Sequence, residues 1–155
     1  MFRRLLASSV MFCAFWALVN NESASAQYLL DVASSTGTQQ VGGGQTIPVI
    51  SGSATLSNLP PSVQSATANF EFFTRLKAPG QNPNPNPWNP WVTDYNISSS
   101  PTQAKPNEAS LQTGTHSYNP SAYEYKVKVS GSFVQPGNPP GTQLTWFTKE
   151  SPIVP

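Results

Sequence analysis

Residues 123–133 read YEYKVKVSGSF, and this stretch decides the fold class. Its apolar residues recur at every second position up to Val129, and Glu or Lys fills the positions between them. A period of two is typical of a β-strand with one face in a core and the other in water. We therefore predict a half-buried strand over Tyr123–Phe133. Its core face would carry Tyr123, Tyr125, Val127, Val129 and Phe133.

Two other segments carry a similar signal. Ala66–Lys77 places Phe70, Phe72 and Leu76 on one predicted face, although the next aromatic residue interrupts the alternation. Leu144–Lys149 has an aromatic residue on both faces, which suits a strand covered on both sides. Five weaker strands are predicted from β-branched and apolar residues between turn residues: Tyr28–Val32, Thr46–Ile50, Ser53–Leu59, Trp91–Ile97 and Ser110–Tyr118.

Pro and Gly separate these segments at short intervals, and helical periodicity is missing from residue 27 onward. Short strands without crossover helices are typical of antiparallel sheets packed face to face. The sequence thus predicts an all-β chain with a single antiparallel β-sandwich of about seven strands over residues 27–155. The GGG-containing segment Gly37–Gln45 is expected to be a flexible connector.

The first 26 residues have the composition of an export signal. Arg3 and Arg4 give a positive start, a mainly apolar run follows over residues 5–19, and residues 24–26 (ASA) are a small-residue cleavage site. The run is shorter than the roughly 20 residues that a membrane-spanning helix needs. We expect residues 1–26 to form a cleavable signal helix. The mature chain would then be secreted, periplasmic or held at the cell surface.

Charge and cysteine content exclude several functions for the predicted mature chain. The whole chain has 155 residues, a formal net charge of +1 and a single cysteine, Cys13. Without residues 1–26, six basic and six acidic residues remain and there is no sulfur. These properties exclude a disulfide scaffold, thiol chemistry and a basic surface for nucleic acid. We also expect no membrane span after signal cleavage.

Residues 119–125 read NPSAYEY and lead into the alternating strand. This resembles the start of the sixth strand in immunoglobulin-like and fibronectin type III-like domains, where a tyrosine at the corner hydrogen-bonds back to the preceding loop. The resemblance implies an immunoglobulin-like sandwich in which Tyr123 is the structural corner tyrosine. Tyr125 would occupy the place of the second cysteine of antibody domains, which makes this chain a disulfide-free relative. Another antiparallel sandwich or a jelly roll is the alternative.

The most unusual segment is a Pro/Asn-rich loop at 79–90; residues 82–91, which include its end and the first residue of the next predicted strand, read NPNPNPWNPW. Each proline fixes its own φ and pushes the preceding residue toward extended conformations, which excludes a helix or a central strand. Its tryptophans either form an exposed platform for a polysaccharide or protein partner, or fold back to cap one end of the sandwich. The candidate ligand or partner contacts are Trp88, Trp91, Tyr95 and Trp146.

Residue types for catalysis or metal binding are sparse. His116 is the single histidine, and with no cysteine or carboxylate pair beside it the expectation is an exposed or hydrogen-bonded side chain. Serine is plentiful, but the Gly-x-Ser-x-Gly motif is missing. We therefore predict no catalytic, metal-binding or cofactor-binding residues and a protein that is not an enzyme.

Two functions are compatible with these features. The first is a secreted, non-enzymatic β-sandwich that acts as a structural or protein-interaction module of the cell envelope or extracellular space. The alternative is a carbohydrate-binding module that uses exposed tryptophans. Trp88 and Trp91 exposed and coplanar on one face would favour carbohydrate binding, whereas packing under one end of the sandwich would favour the structural module.

Overall fold

A computed structural model describes residues 28–137 and 141–155, so the predicted signal peptide at 1–26 lies outside the described residues. The described chain is all β apart from one short 3-10 turn at Gly42–Gly44. The strands are β1 Leu29–Val41, β2 Gln45–Ser57, β3 Ala66–Leu76, β4 Asn89–Ser99, β5 Ala109–Gln112, β6 His116–Ser117, β7 Tyr123–Gly137 and β8 Gly141–Glu150.

The strands form two antiparallel sheets that pack face to face. We call the first the neutral sheet, because Asp31 is the one Asp, Glu, Lys or Arg residue in its strands. Its order is β1-β2-β5, and β6 pairs with β2 beyond the end of β5. The second, the charged sheet, has the order β4-β3-β7-β8. The predicted all-β antiparallel sandwich is confirmed. Its core is drawn from both sheets, and its largest fully buried side chains are Phe70, Phe72, Phe133, Ile50, Leu56, Leu59, Leu111, Val127 and Val129.

Strands β3 and β7 form the centre of the charged sheet and pair along the whole length of β3. The expectation that Leu144–Lys149 is covered on both sides is wrong, because β8 lies at an edge and its Trp146 is 71% exposed. Phe70 and Phe72 lie opposite Val129 and Val127, and all four side chains are buried, as their alternation predicts. The last cross-strand pair, Leu76 with Tyr123, is different because both side chains are exposed. The prediction that Leu76 and Tyr123 belong to the core is therefore wrong. They lie at the ends of their strands, where the sequence still alternates but the side chains are no longer covered by the other sheet.

The outer face of β3 and β7 changes character along the sheet. The cross-strand pairs on this face are, in order, Thr67 with Ser132, Asn69 with Ser130, Glu71 with Lys128, Phe73 with Lys126 and Arg75 with Glu124. The first two pairs offer hydroxyl and amide groups, whereas the last three pairs carry all of the charge. One end of this face is thus neutral and polar, and the other end is ionic.

In the neutral sheet, two predicted strands merge and one is divided. Thr46–Ile50 and Ser53–Leu59 form parts of the single strand β2, whereas Ser110–Tyr118 is divided into β5 and β6. At the division, the Thr113 backbone N–H donates to the Gly52 carbonyl, and the Thr113 hydroxyl accepts from the Gly52 N–H, both at 3.0 Å. The buried threonine side chain thus satisfies a backbone donor that would otherwise lack a partner.

The prediction of a flexible connector over Gly37–Gln45 is wrong for most of that segment. Residues 37–41 continue β1 and pair with residues 45–49 of β2, so the connection shrinks to the turn at Gly42–Gly44. Gly43 and Gly44 have φ angles of 83° and 77°, which glycine adopts without steric cost. The glycines therefore make a tight hairpin turn possible, and the two strands extend into it.

Candidate functional site

The Pro/Asn-rich loop does not stand away from the sandwich but folds back onto the end of β3. The side-chain amides of Asn84 and Asn86 both donate to the Leu76 carbonyl, at 3.0 and 2.8 Å. The Asn84 carbonyl in turn accepts from the Arg75 guanidinium at 3.1 Å. These bonds fix the loop on the outer face of the charged sheet. In the structure, the predicted loop residues Asn89 and Pro90 already belong to β4.

Trp88 is held between two cations on this outer face. The Arg75 guanidinium carbon lies 4.5 Å from the centre of the indole, and the Lys126 ammonium lies 4.9 Å from it. Each such contact contributes about 0.5–1 kcal/mol at a partly exposed site. Trp88 is half-buried and its ring is already engaged, so it is not a vacant platform for a ligand.

Arg75 also forms the shortest ion pair on this face. Its Nε donates to Glu124 Oε2 at 2.6 Å, and the Asn84 amide donates to the same oxygen at 3.1 Å. The hydrogen bond from Arg75, assisted by the one from Asn84, holds the pKa of the Glu124 carboxyl below its usual value against the opposing effect of burial. The charged form of Glu124 is therefore favoured in the folded chain.

This pKa shift predicts a loss of stability in acid. Because the pKa of Glu124 is lower in the folded chain than in the unfolded chain, its contribution is complete above the unfolded value and is lost as the pH falls through the folded value. The Glu124→Gln variant should lose less unfolding free energy than wild type between pH 6 and pH 3. Urea denaturation at the two pH values measures this, and equal losses in both proteins would contradict the assignment.

Trp91 lies on the opposite side of the same sheet. Its ring makes edge contacts with Phe72 at 6.4 Å, with Tyr125 at 5.5 Å and with His116 at 6.1 Å between ring centres. Phe72 and Tyr125 are buried core residues, whereas Trp91 itself is 40% exposed. Trp91 thus covers the inner side of the sheet near its β4 edge.

His116 links the two sheets beside this cluster. Its Nε2 atom lies 2.9 Å from Asp94 Oδ2, which joins β6 of the neutral sheet to β4 of the charged sheet. The His116 ring also packs edge-on against Phe72 at 4.9 Å. Of the two expected alternatives, an exposed or a hydrogen-bonded histidine, the structure shows the hydrogen-bonded one. In the part of the chain that the structure describes, no group of three His, Cys, Asp or Glu side chains is placed to hold a metal ion.

The four predicted contact residues are therefore not brought together. Trp88 lies on the outer face of the charged sheet, and Trp91 contacts the core on its inner face, so the two indoles form no common platform. Tyr95 and Trp146 are 69% and 71% exposed, on the two edge strands β4 and β8 of that sheet. These two aromatic side chains are the accessible members of the predicted set.

The predicted corner tyrosine is displaced by two residues. The hydroxyl that accepts a hydrogen bond from the preceding loop belongs to Tyr125, which lies 2.9 Å from the Asn119 backbone nitrogen. Tyr123 is 37% exposed and contacts the Tyr125 ring edge-on at 6.5 Å. Tyr123 and Tyr125 lie on the same face of β7, but only Tyr125 is buried, and its hydroxyl makes this bond.

A groove of about 330 Å³ lies on the outer face of the charged sheet, at the end of β3 and β7 where the cross-strand pairs carry hydroxyl and amide groups and no charge. Its floor includes Thr67 and Asn69 of β3 and Ser130 and Ser132 of β7; Asn96 of β4 lies on one side and Trp146 of β8 on the other. The sequence shows the serines on a polar strand face, but only the register between β3 and β7 places them beside the threonine and the asparagine. The groove was therefore missed in the sequence.

A second feature that the sequence did not predict is a projecting hairpin. Residues 35–40 of β1 are exposed on both faces, although they pair in register with β2. Within residues 28–137 and 141–155, no strand pairs with the other edge of β1. This part of β1 therefore offers unpaired backbone groups to solvent.

Comparisons of the chain with models of protein families, with curated proteins and with solved structures give no significant match. Across the described residues, no helix is long and apolar enough to cross a lipid bilayer.

Proposed function

We propose that this chain is a secreted, non-enzymatic structural module with an immunoglobulin-like sandwich, and that it associates with a second copy of itself through the free edge of β1. The observation that carries the proposal is the charge-free stretch of residues 34–41 on that edge, of which residues 35–40 are exposed on both faces. Export rests on the signal-peptide features of residues 1–26.

Strand order supports an immunoglobulin-like arrangement. In that fold the second strand pairs with the fifth in one sheet, and the third, sixth and seventh strands form the other. If β5 and β6 count as one interrupted strand, the chain has the same pairings, with β4 added beside β3 as in variable-type domains. The hydroxyl of Tyr125, which bonds to the backbone of the preceding loop, is a second shared feature.

Residues 34–41 at the free edge of β1 carry neither a charge nor a proline, the common protections of an edge strand against pairing. Residues 32–70 contain no charged residue, and β1 contains no proline. Natural edge strands usually carry lysine, proline or a bulge, because a flat and neutral edge pairs readily with another strand. A projecting two-stranded ribbon is also only marginally stable alone, and a third strand would stabilise it.

The other edges of the sandwich are less available. β4 is interrupted by two bulges opposite β3 and contains Pro90 and a left-handed Asn96. Near β8, the Tyr28 hydroxyl donates to the Trp146 carbonyl at 3.1 Å, and the Lys149 ammonium donates to the Leu30 carbonyl at 2.6 Å. These bonds join the first part of β1 to β8. They leave residues 34–41 as the open stretch.

A second copy fits this edge by symmetry. Two identical strands can pair antiparallel about a two-fold axis, so that each residue faces a residue of the same segment. A charged residue at or near the axis would lie close to its own copy, which is destabilising. Residues 34–41 consist of Ser, Thr, Gly, Gln and Val, so their self-pairing brings no charges together.

Sedimentation velocity over a wide range of protein concentrations tests this association. We expect wild type to form dimers. Thr38→Lys should weaken dimerisation about tenfold or more, because it places a charge in the middle of the edge and brings the two lysines of the dimer close to each other. The matched control is Gln112→Lys, which adds the same charge at an exposed position of β5 in the same sheet. A monomeric wild type, or equal effects of the two lysines, would overturn the proposal.

A further inference from the structure

We propose that the groove at the neutral end of the charged sheet binds a neutral oligosaccharide, with the Trp146 indole stacked on a sugar ring. The proposal is independent of self-association through β1. It concerns the outer face of the other sheet, whose lining residues are described above.

The accessible aromatic surface is the first support. Trp146 is 71% exposed, and among the described residues its indole has neither an aromatic nor a cationic partner, unlike Trp88 and Trp91. It lies directly opposite Ser132, and side chains of such a pair project from the same face of a sheet. A large aromatic ring left in water beside a groove is a typical anchor for a ligand with an apolar face.

The polar lining is the second support. In the described part of the chain, the hydroxyls of Thr67, Ser130 and Ser132 have no hydrogen-bond partner. The side-chain oxygen Oδ1 of Asn69 accepts a hydrogen bond from the Asn96 backbone N–H at 2.9 Å. The side-chain NH₂ group of Asn69 is left to donate to a ligand. Hydroxyls both donate and accept, and a side-chain amide does the same through two atoms. These groups match the hydroxyl groups around the edge of a sugar ring.

The charge of the groove selects the ligand class. None of its lining residues is ionisable. The nearest charges along the β3–β7 ladder are Glu71 and Lys128, which lie opposite each other with 3.6 Å between Oε2 and Nζ. These charges offset each other, so the site offers neither a cation to an acidic sugar nor an anion to a basic one. A neutral saccharide is therefore the ligand class that the lining fits.

The groove also has the size and the extension that an oligosaccharide needs. Its volume of about 330 Å³ lies at the lower end of the range for small-ligand sites. Tyr95, 69% exposed on β4, lies three strands from Trp146, which is about 14 Å across the sheet at ordinary strand spacing. It also lies three residues along β4 from Ser98, the residue in register with Trp146. Asp94 points toward the other sheet, so its neighbour Tyr95 points outward. A chain of several sugar units could therefore cross from one ring toward the other.

Titration with neutral hexasaccharides tests the site, using β-1,4-linked glucose, α-1,4-linked glucose, β-1,4-linked mannose and β-1,4-linked xylose as probes. Indole N–H resonances report the contact, and the Trp146 resonance is assigned from its loss in Trp146→Ala. We expect saturable binding of at least one probe, with the Trp146 resonance shifting while those of Trp88 and Trp91 stay in place.

Two variants and a matched control make the test specific. Trp146→Ala should weaken binding about tenfold or more, as for an aromatic hot spot. Asn96→Gly, which removes the amide but tolerates the φ of 55°, should weaken it by a smaller factor. Trp88→Ala changes a tryptophan at the other end of the same face and should leave binding unchanged. No binding by any probe, or binding retained in Trp146→Ala, would overturn the assignment.

Discussion

Replacing Phe72 by alanine is expected to lower the free energy of unfolding by about 3–5 kcal/mol. The Phe72 side chain is fully buried between the sheets, where its ring contacts His116 and Trp91 and lies 3.4 Å from the position that a Cβ on Gly52 would take. Its removal leaves a cavity at the point where β2, β3, β4 and β6 meet. Chemical denaturation at fixed protein concentration measures the loss.

Phe73→Ala is the matched control for this prediction. Phe73 is the next residue of β3, but it faces outward, is half-buried and has the Lys126 ammonium 5.7 Å from its ring centre. Its removal should cost about 1 kcal/mol or less, because little apolar area returns to water. Similar losses in the two variants would mean that the inward and outward faces of β3 are assigned incorrectly.

Gly131→Ala is expected to destabilise the sandwich by about 3 kcal/mol. Gly131 of β7 lies opposite Ala68 of β3, where the two backbones approach closely. A Cβ at this position would collide with the Thr67 carbonyl oxygen and lie 2.7 Å from the Ala68 Cα. Both are backbone atoms of the central strand pair, so the collision is relieved only by separating β3 from β7.

Gly114→Ala is the comparison for Gly131→Ala, since it makes the same change of one methyl group. A Cβ on Gly114 would meet no atom within 4 Å, and its φ is not in the left-handed region. The unfolding free energy of this variant should stay within about 0.5 kcal/mol of wild type. If Gly131→Ala were equally harmless, the close approach of β3 and β7 would be wrong.

The fold class was predictable because burial leaves a period of two in the sequence. The alternation at residues 123–133 and the aromatic residues of Ala66–Leu76 identified β7 and β3, whose pairing forms the centre of the charged sheet. The prediction failed at Leu76 and Tyr123, because alternation specifies the face of a residue but not how far the facing sheet extends. Tyr125, two residues further on, is the buried tyrosine.

The candidate site was only partly predictable, because it depends on register and on loop contacts. The sequence identified Trp88 and Trp91 as a pair from their spacing of three residues, but a bulge opposite Phe72 and Phe73 and the fixed loop place them on opposite sides of the sheet. The sequence predicted Trp146 to lie in a strand, next to a second aromatic residue, Phe147, on the opposite face. Its groove requires four strands to lie side by side, which no local pattern reveals.

The projecting hairpin escaped prediction for a different reason. Residues 37–45 contain four glycines, which locally favour a flexible segment over a strand. Pairing with β2 overrides that preference along the whole of β1, and the glycines at 42–44 only close the turn. The absence of charge from residues 34–41 can be read from the sequence. It indicates a site of association only when the structure shows that β1 is an edge strand.

Cysteine crosslinking along this edge tests the proposed self-association most directly. Cys13 is the only cysteine of the chain, so in a Cys13→Ser background each residue from 34 to 41 can be replaced singly by cysteine. In a two-fold antiparallel pair, only a residue at the axis faces its own copy closely enough for a disulfide. We predict that oxidation yields covalent dimers with a maximum at one position or two adjacent positions, and little dimer further along the strand. Uniformly low yields, or yields that do not depend on position, would contradict pairing through β1.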